Sequence, residues 1–485
     1  MKTLNRSTIL LCLCMMLIAI PAMGQYPEDV LRLSTPGIGV GARALGLGMS
    51  YTGVANDFSA LYWNPAGLAQ LKMNEFNFGM SQLNFGNDGT LYDNTKSFSD
   101  NSTNINSIGL VYSIPTVQGS FVIALGYNRQ ADFTTGLKFQ GFNPYSSIIQ
   151  SWAPDGMSYP SDLSRNLAYQ LYLANLDTNT GLWDSKIKNN LTQSGTVIEG
   201  GGLNNYSAGA SIEAAPNVYL GLSLNVLAGS YSYTRNYYEN DYDQLYSTIP
   251  FDFNSMALQE NVQSDIGGFY AKVGLLYKFA PNSRIGVAIK TPSWISVHET
   301  YSERASSQFD SVSQLGNSFF YGFDGKDDYD ATTPFVFSIG ASYGIQNLML
   351  AGDIEYTDWT QMEFRNAPAD VMDFNTAIKS EFRATENFHV GAEYELVPGV
   401  FQLRAGFAYL QSPYNGDPTD FNQKYITGGV SFSLQNSIII ELGYAHGMWK
   451  DYRANYDYPV NGAQSSVVSE DITTNTVLGT VSYRF

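Results

Sequence analysis

The sequence predicts an all-β fold: a transmembrane antiparallel β-barrel of about fourteen strands with an N-terminal hatch inside its lumen. Three observations carry that expectation. From about residue 75 onward, apolar and polar residues alternate with period two in segments of about 9 to 13 residues, as strands do when one face meets lipid and the other a lumen. Tight turns alternate with long polar stretches along the chain. After Gly24 no apolar run approaches the roughly 18 residues of a membrane helix, and closed barrels are the only other structures that satisfy their backbone in lipid.

Residues 1–24 read as a signal peptide. Lys2 and Arg6 precede an apolar run from Ile9 to Ile20, and Ala22-Met23-Gly24 supplies small residues for cleavage before Gln25. Cys12 and Cys14 both lie in that run, so the mature chain carries no thiol. Cleavage leaves 24 basic residues against 44 acidic ones, a formal charge of −20, which speaks against nucleic acid as a partner. With 34 Tyr, 28 Phe and 45 Gly but only 14% charged residues, the composition suits aromatic girdles and tightly turning strands.

Residues 25–73 are assigned to the hatch. A barrel of about fourteen strands is too wide for its own side chains to fill, so a channel or a plug must follow. The glycine-rich run Gly37 to Gly48 can weave through a crowded lumen. Asp57 is placed to cap a helix-prone stretch, Asp57 to Tyr62. Trp63-Asn64-Pro65-Ala66-Gly67 reads as a compact turn, with Pro65 fixing φ and Gly67 free to take positive φ.

Residues 74–485 are assigned to the barrel. Leu348, Leu350, Ile354 and Tyr356 oppose Asp353 and Glu355; Leu403, Ala405, Phe407 and Tyr409 oppose Arg404 and Gly406; Ile438, Ile440, Leu442 and Tyr444 oppose Glu441 and Gly443. By the same parity Lys272, Lys290, Asp353, Glu355, Glu393, Arg404 and Glu441 should line the lumen and pair with each other or with Arg43 of the hatch, since a basic residue facing lipid costs about 2 to 4 kcal/mol. Short turns are expected at 115–117, 215–217, 281–283, 346–347, 397–399 and 435–436. Long loops are expected at roughly 86–104, 130–202, 236–264, 300–332, 360–379, 412–422 and 450–472. Six turns and seven loops give an even strand count, with turns at the periplasmic rim and loops outside. The last strand, Val477 to Phe485, ends on an aromatic, as the insertion signal read by the barrel assembly machinery does. In the longest loop, Trp152, Met157 and a helix bearing Leu163, Leu167 and Leu171 at spacing four are expected to display an apolar groove outside.

The stretch GARALGLGMSYTGVANDFSALYWNPAGLA, followed by about fourteen strands and a terminal Phe485, resembles the FadL family of outer-membrane hydrophobic-compound transporters. Asn64, Pro65 and Ala66 match that family's hatch motif, and AGDIEYTDWT and VGAEYELVPGVFQLRAGFAYL are similar to its strands. Charged Glu28, Asp29 and Arg32 depart from the apolar N-terminus that a greasy lumen would suit. The resemblance implies passive uptake of hydrophobic small molecules, fatty acids or aromatics, by a monomer seated in outer-membrane lipid of the bacterial cell. It implies a lateral exit, no cofactor and no covalent chemistry. A barrel docking or shuttling partners in protein secretion is the alternative, and a general porin the third reading.

Other motifs lead elsewhere only weakly. Gly340-Ala341-Ser342-Tyr343-Gly344 has the nucleophile pattern without its strand-to-helix elbow. His298, His389 and His446 lack metal-ligand spacing. The run Asp324 to Asp330 lacks EF-hand spacing and reads as a solvated acidic loop.

Overall fold

The computed structural model describes residues 27–485 except 249–251, 314–315, 436 and 457–464. The expected signal peptide and Asn436 lie outside the described residues. Fourteen antiparallel strands close into one barrel: β1 Glu75–Leu91, β2 Asn94–Ile114, β3 Phe121–Asp132 resumed by Thr135–Asn143, β4 Leu191–Ala215, β5 Val218–Asn240, β6 Phe253–Ala280, β7 Ser283–Lys290 resumed by Trp294–Ser313, β8 Gly316–Thr332 resumed by Val336–Ile345, β9 Leu348–Asp358 followed by Glu363–Arg365, β10 Ala384–Val397, β11 Phe401–Leu410, β12 Gln423–Leu434, β13 Ile438–Ala454 and β14 Val467–Arg484. Pairing of β1 with β14, from Glu75 opposite Arg484 to Leu91 opposite Val468, closes the ring. The backbones of Asn74 and Phe485 finish it by bonding to each other in both directions, at 3.1 and 3.0 Å.

The alternation sets two faces. Leu350, Leu403 and Leu442 are 45%, 40% and 53% exposed, whereas Asp353, Arg404 and Glu441 between them are 6%, 6% and 8% exposed. The apolar residues therefore form the lipid-facing band and the ions point inward.

Four of the expected long loops are corrected by the structure. At 86–104 there is no loop: β1 and β2 pair without interruption to a turn at Tyr92 and Asp93. At 236–264 and 300–332 the strands continue to Asn240, Ser313 and Gly316, and at 450–472 to Ala454 and Val467. Polar outward residues end the lipid-facing band, but they do not end the hydrogen-bond ladder, which continues into water as a tall outer wall.

The mouth of this wall is closed. The expected helix over 163–171 is a single turn, Leu167–Gln170, capped by the Asn166 side chain. Leu167 and Leu171 are buried in a core with Phe139, Ile149, Trp183, Tyr237 and Leu258, while Trp152 and Leu163 pack on its edge. The outward apolar groove is thus overturned. These leucines need burial, and the barrel mouth supplies it. Glu239 holds the cap inward, accepting hydrogen bonds from Ile148 N at 2.9 Å, Gln193 Nε2 at 2.8 Å, Tyr237 Oη at 2.7 Å and the Ser147 hydroxyl. Nearer the middle, helix Ala369–Glu381 presents Val371 and Ile378 to a second core that includes Val30 and Leu33 of the N-terminal helix Pro27–Ser34.

Candidate functional site

The hatch fills the lumen toward the short-turn rim. Its glycine run takes positive φ at Gly39, Gly41 and Gly48, conformations that a side chain would strain. Phe58 wedges against the wall where Gly109 and Gly126 leave room; a Cβ on Gly109 would lie 1.8 Å from its ring. Asp57 orders the next turn through Ser59 N at 2.9 Å and the Tyr51 hydroxyl at 2.5 Å, ahead of the one-turn helix Ala60–Trp63.

Asn64 is fully buried and ties three segments together. Its Nδ2 donates to Thr52 O at 2.9 Å and to Leu275 O of β6 at 3.2 Å, and its Oδ1 accepts from Ala66 N at 3.2 Å. Pro65 opens a 3-10 helix, Pro65–Gln70, in place of the simple turn expected. Gly67 does not take positive φ, which corrects that expectation. It is glycine because a Cβ would lie 2.2 Å from Ala55 O. Trp63 Nε1 donates to Val40 O at 2.8 Å, and its ring packs edge-on against Tyr62 and Tyr51.

The candidate lumen residues fall into two groups. In the first, Arg43 grips Glu393 with two hydrogen bonds of 2.8 Å and Asn56 with one of 2.6 Å. Arg404 donates to the same Glu393 at 2.7 Å and meets Glu441 at 2.9 Å. The hatch is thereby bound to β10, β11 and β13 through one buried ion network, the geometry in which a paired charge is tolerated at low dielectric.

The second group surrounds a pocket between the hatch and the N-terminal helix, lined by Thr52, Tyr62, Trp63, Tyr270, Lys272, Lys290, Asp353 and Glu355 among others. Asp353 is saturated by the hatch: Tyr51 N at 2.7 Å, Thr52 N at 2.6 Å and Ser50 Oγ at 3.2 Å. Lys272 donates to Tyr62 O and lies 4.9 Å from the centre of that ring. Lys290 stands 4.9 Å over the Tyr270 ring. Glu355 has only marginal contacts, at 3.5 Å, with Ser338 and Asn387. The free space in this pocket is about 40 Å³, far below the roughly 300 Å³ or more of a ligand pocket, so this pocket is closed to a long-tailed ligand.

Trp152, Leu163, Leu167 and Leu171 belong to the core of the outer cap, and Met157 is tied to it through Trp183 N to Met157 O at 2.8 Å; none of them lines this pocket. The charged N-terminus is reconciled by pairing: Arg32 meets Asp29 at 2.7 Å and Glu199 at 3.8 Å, and covers the Tyr231 ring at 3.9 Å, while Val30 and Leu33 bury the apolar face. Sequence reasoning missed Tyr62, Tyr270, Thr52 and Glu75. Glu75 joins Phe58 N at 2.8 Å to Arg484 at 2.7 Å, linking the hatch to the first and last strands. One signal was available. Gly274, Gly286, Gly340, Gly391, Gly406 and Gly443 share the inward parity of the lumen ions, and at each a Cβ would meet the hatch or the side chain that anchors it, Asn64 Oδ1 at 2.0 Å from Gly274 and Gly48 N at 2.3 Å from Gly406. Inward glycines in strands mark close backbone approach.

A sequence profile described as outer membrane protein transport protein (OMPP1/FadL/TodX) matches residues 41–485. Among solved structures, the chain is similar to a Pseudomonas aeruginosa FadL homologue, with a TM-score of 0.57 and 13% identity over 92% of this chain and 98% of that one. The Pseudomonas putida toluene transporter TodX matches with a TM-score of 0.57, 13% identity and coverage of 92% and 99%. The Ralstonia pickettii toluene transporter TbuX matches with a TM-score of 0.50, 15% identity and coverage of 92% and 98%. These likenesses establish the shared fold. No curated protein sequence matches the chain.

Proposed function

The chain belongs to the outer-membrane transport family of FadL and TodX, and from that premise we propose that its cargo is an amphipathic acid with a long apolar tail, taken up passively. The family places it in the bacterial outer membrane as a channel for hydrophobic compounds. The observation that favours an acid over a bare hydrocarbon is the lysine pair. Lys272 and Lys290 face one pocket in which Asp353 is already consumed by hatch amides, leaving two lysine side chains against Glu355. A carboxylate would complete that balance, and the rings of Tyr62, Trp63 and Tyr270 would cover the start of its tail.

In this reading Asn64, Pro65, Ala66 and Arg43 hold the hatch shut until the cargo displaces it. The protein acts as a monomer in outer-membrane lipid. Phe485, exposed beside Tyr483, is offered to the barrel assembly machinery. Proteoliposome uptake of palmitate and of toluene tests the cargo. Lys272→Met with Lys290→Met should lower palmitate uptake about tenfold, the equivalent of about 1.4 kcal/mol, and leave toluene unchanged. Equal uptake of palmitate by the variant would refute the acid assignment.

A further inference from the structure

The outer wall carries an open trough of about 560 Å³ on its outward face, between β5 and β8. Two adjacent rungs of the strand ladder build it. In one, Tyr238, Ala257, Ser306 and Phe320 stand opposite one another across the four strands. In the next rung toward the membrane the sequence is Asn236, Gln259, Arg304 and Gly322. Tyr237, Leu258 and Ala305, which alternate with these residues, are buried in the core under the cap, so the trough lies on the other face of the same wall. Ala257, Ser306 and Gly322 are short and leave its floor open. Tyr238 and Phe320 form its sides, three inter-strand spacings or about 14 Å apart at the backbone.

These two rings break the rule that governs the rest of the outer wall. Outward positions on β2 are Thr95, Ser97, Ser99 and Asn101, whereas Phe320 is 80% and Tyr238 42% exposed. Lipid does not reach them. After Trp294 the outward residues of β7 are Ser296, His298 and Thr300, so the lipid-facing band ends near Trp294. From residue 294 to 304 the strand rises about 33 Å along its own axis, or about 25 Å in height at a tilt of about 40°. The polar headgroup layer takes up only about 5 to 8 Å on each side of the hydrocarbon. The trough therefore stands beyond the headgroups, on the continuation of the lipid-facing surface. In the outer leaflet of an outer membrane that layer is occupied by the saccharide chains of glycolipid.

The lining suits such a neighbour. Among the described residues of the trough Arg304 alone is charged, and it is already engaged: by Asp324 at 2.7 and 2.9 Å, by Phe323 O at 2.8 Å and by Glu303 O at 2.9 Å. An anionic ligand would find its counter-ion paired. What the trough offers is two aromatic rings, the amides of Asn236 and Gln259 and the hydroxyl of Ser306. A sugar ring presents the matching groups, a C–H face that lies on an aromatic ring and hydroxyls that both donate to and accept from amides and hydroxyls. The volume falls within the roughly 300 to 1,000 Å³ of small-ligand sites.

We propose that this trough binds the neutral saccharide of an outer-leaflet glycolipid and fastens the outer wall to the surface layer of its membrane. The site is separate from the lumen pocket and independent of the cargo assigned above.

Binding of the detergent-purified mature chain to lipopolysaccharide from the strain that makes it tests the proposal, with intact lipopolysaccharide compared against the form truncated to its inner core. The intact form should bind at least tenfold more tightly. Tyr238→Ala with Phe320→Ala should erase that preference, Ser306→Trp should erase it by filling the floor, and Phe320→Tyr, which keeps the ring, should retain it. Equal affinity for the two forms, or a preference that survives in the double alanine variant, overturns the proposal. The unsubstituted protein provides a measurement free of any folding defect: saccharide freed from lipid A by mild acid should compete with intact lipopolysaccharide. Failure of the freed saccharide to compete, or equal competition by lipid A, also overturns it.

Discussion

Releasing the hatch should turn a closed barrel into a leaky one, and the anchors are specific enough to assign a size to the effect. Arg43→Met removes both bonds to Glu393 and the one to Asn56. Breaking a buried pair from one side costs about 3 to 5 kcal/mol. Glu393 keeps Arg404 at 2.7 Å, which places the loss at the lower end, about 3 kcal/mol, or roughly a hundredfold shift toward the unseated hatch. Asp353→Asn weakens a second anchor: Tyr51 N and Thr52 N both donate to Oδ2 and Ser50 Oγ to Oδ1, whereas an amide has one accepting oxygen and no charge to strengthen these bonds. One lost charge-assisted bond contributes about 1.5 to 3 kcal/mol. The two sites share the hatch, so the effects need not add. Conductance in planar bilayers is the assay, with deletion of residues 26–69 as the fully open reference. Either single variant should open rarely and the double variant in a substantial fraction of events, with all three still showing the gel shift of a heat-modifiable barrel. A double variant as silent as the unsubstituted protein would show that these bonds do not hold the hatch.

Two further outcomes follow from named contacts. Asn64→Ala with Pro65→Ala removes the ties to Thr52 O and Leu275 O and should leave the barrel folded while reducing hydrophobic uptake several-fold; normal uptake would refute a role for the motif. Glu303, in the outer wall above the membrane, is pushed by burial and then by Glu260 up to about 7, so the folded wall holds a proton that the unfolded chain releases near its ordinary range. That contribution is complete at low pH and lost as pH rises toward 7, by about 3 kcal/mol in all. Limited proteolysis of the outer wall should therefore quicken from pH 5 to pH 8, and Glu303→Gln should flatten the profile; an unchanged slope in the variant would refute the cause.

Much of the barrel was legible in the sequence because lipid imposes a simple rule. A residue such as Asp353 or Arg404 cannot face hydrocarbon, so its parity fixes that of its neighbours, and the strand faces follow. The rule fails above the membrane. At 86–104 outward residues are Ser, Asn, Asp and Thr, which in a sequence resemble loop, yet β1 and β2 pair through them to Leu91 and Asn94. Side-chain polarity reports the solvent of the outer face, whereas strand length is set by backbone pairing, which water permits as well as lipid does. The cap over 144–190 was misread for a related reason. Leu163, Leu167 and Leu171 announce burial at helical spacing, but they do not say against what, and the partners Phe139, Tyr237 and Leu258 come from strands far away in sequence.

The hatch shows the same limit from its other side. Arg43 could be matched in advance to an acidic wall, because an ion in a closed lumen must find its opposite, but the choice of Glu393 over Asp353 and Glu355 depends on which backbone amides reach Asp353 first. Tyr51 N and Thr52 N do so at 2.7 and 2.6 Å, and that leaves Glu393, already held by Arg404, for Arg43. The unclaimed Glu355 then stays in the pocket with Lys272 and Lys290. The charge offered to a ligand is thus decided by how the hatch satisfies its own backbone, so a change in hatch seating changes the pocket's charge and its closure together. Under the proposed reading, an acid that engages Lys272 would compete with that lysine's bond to Tyr62 O of the hatch.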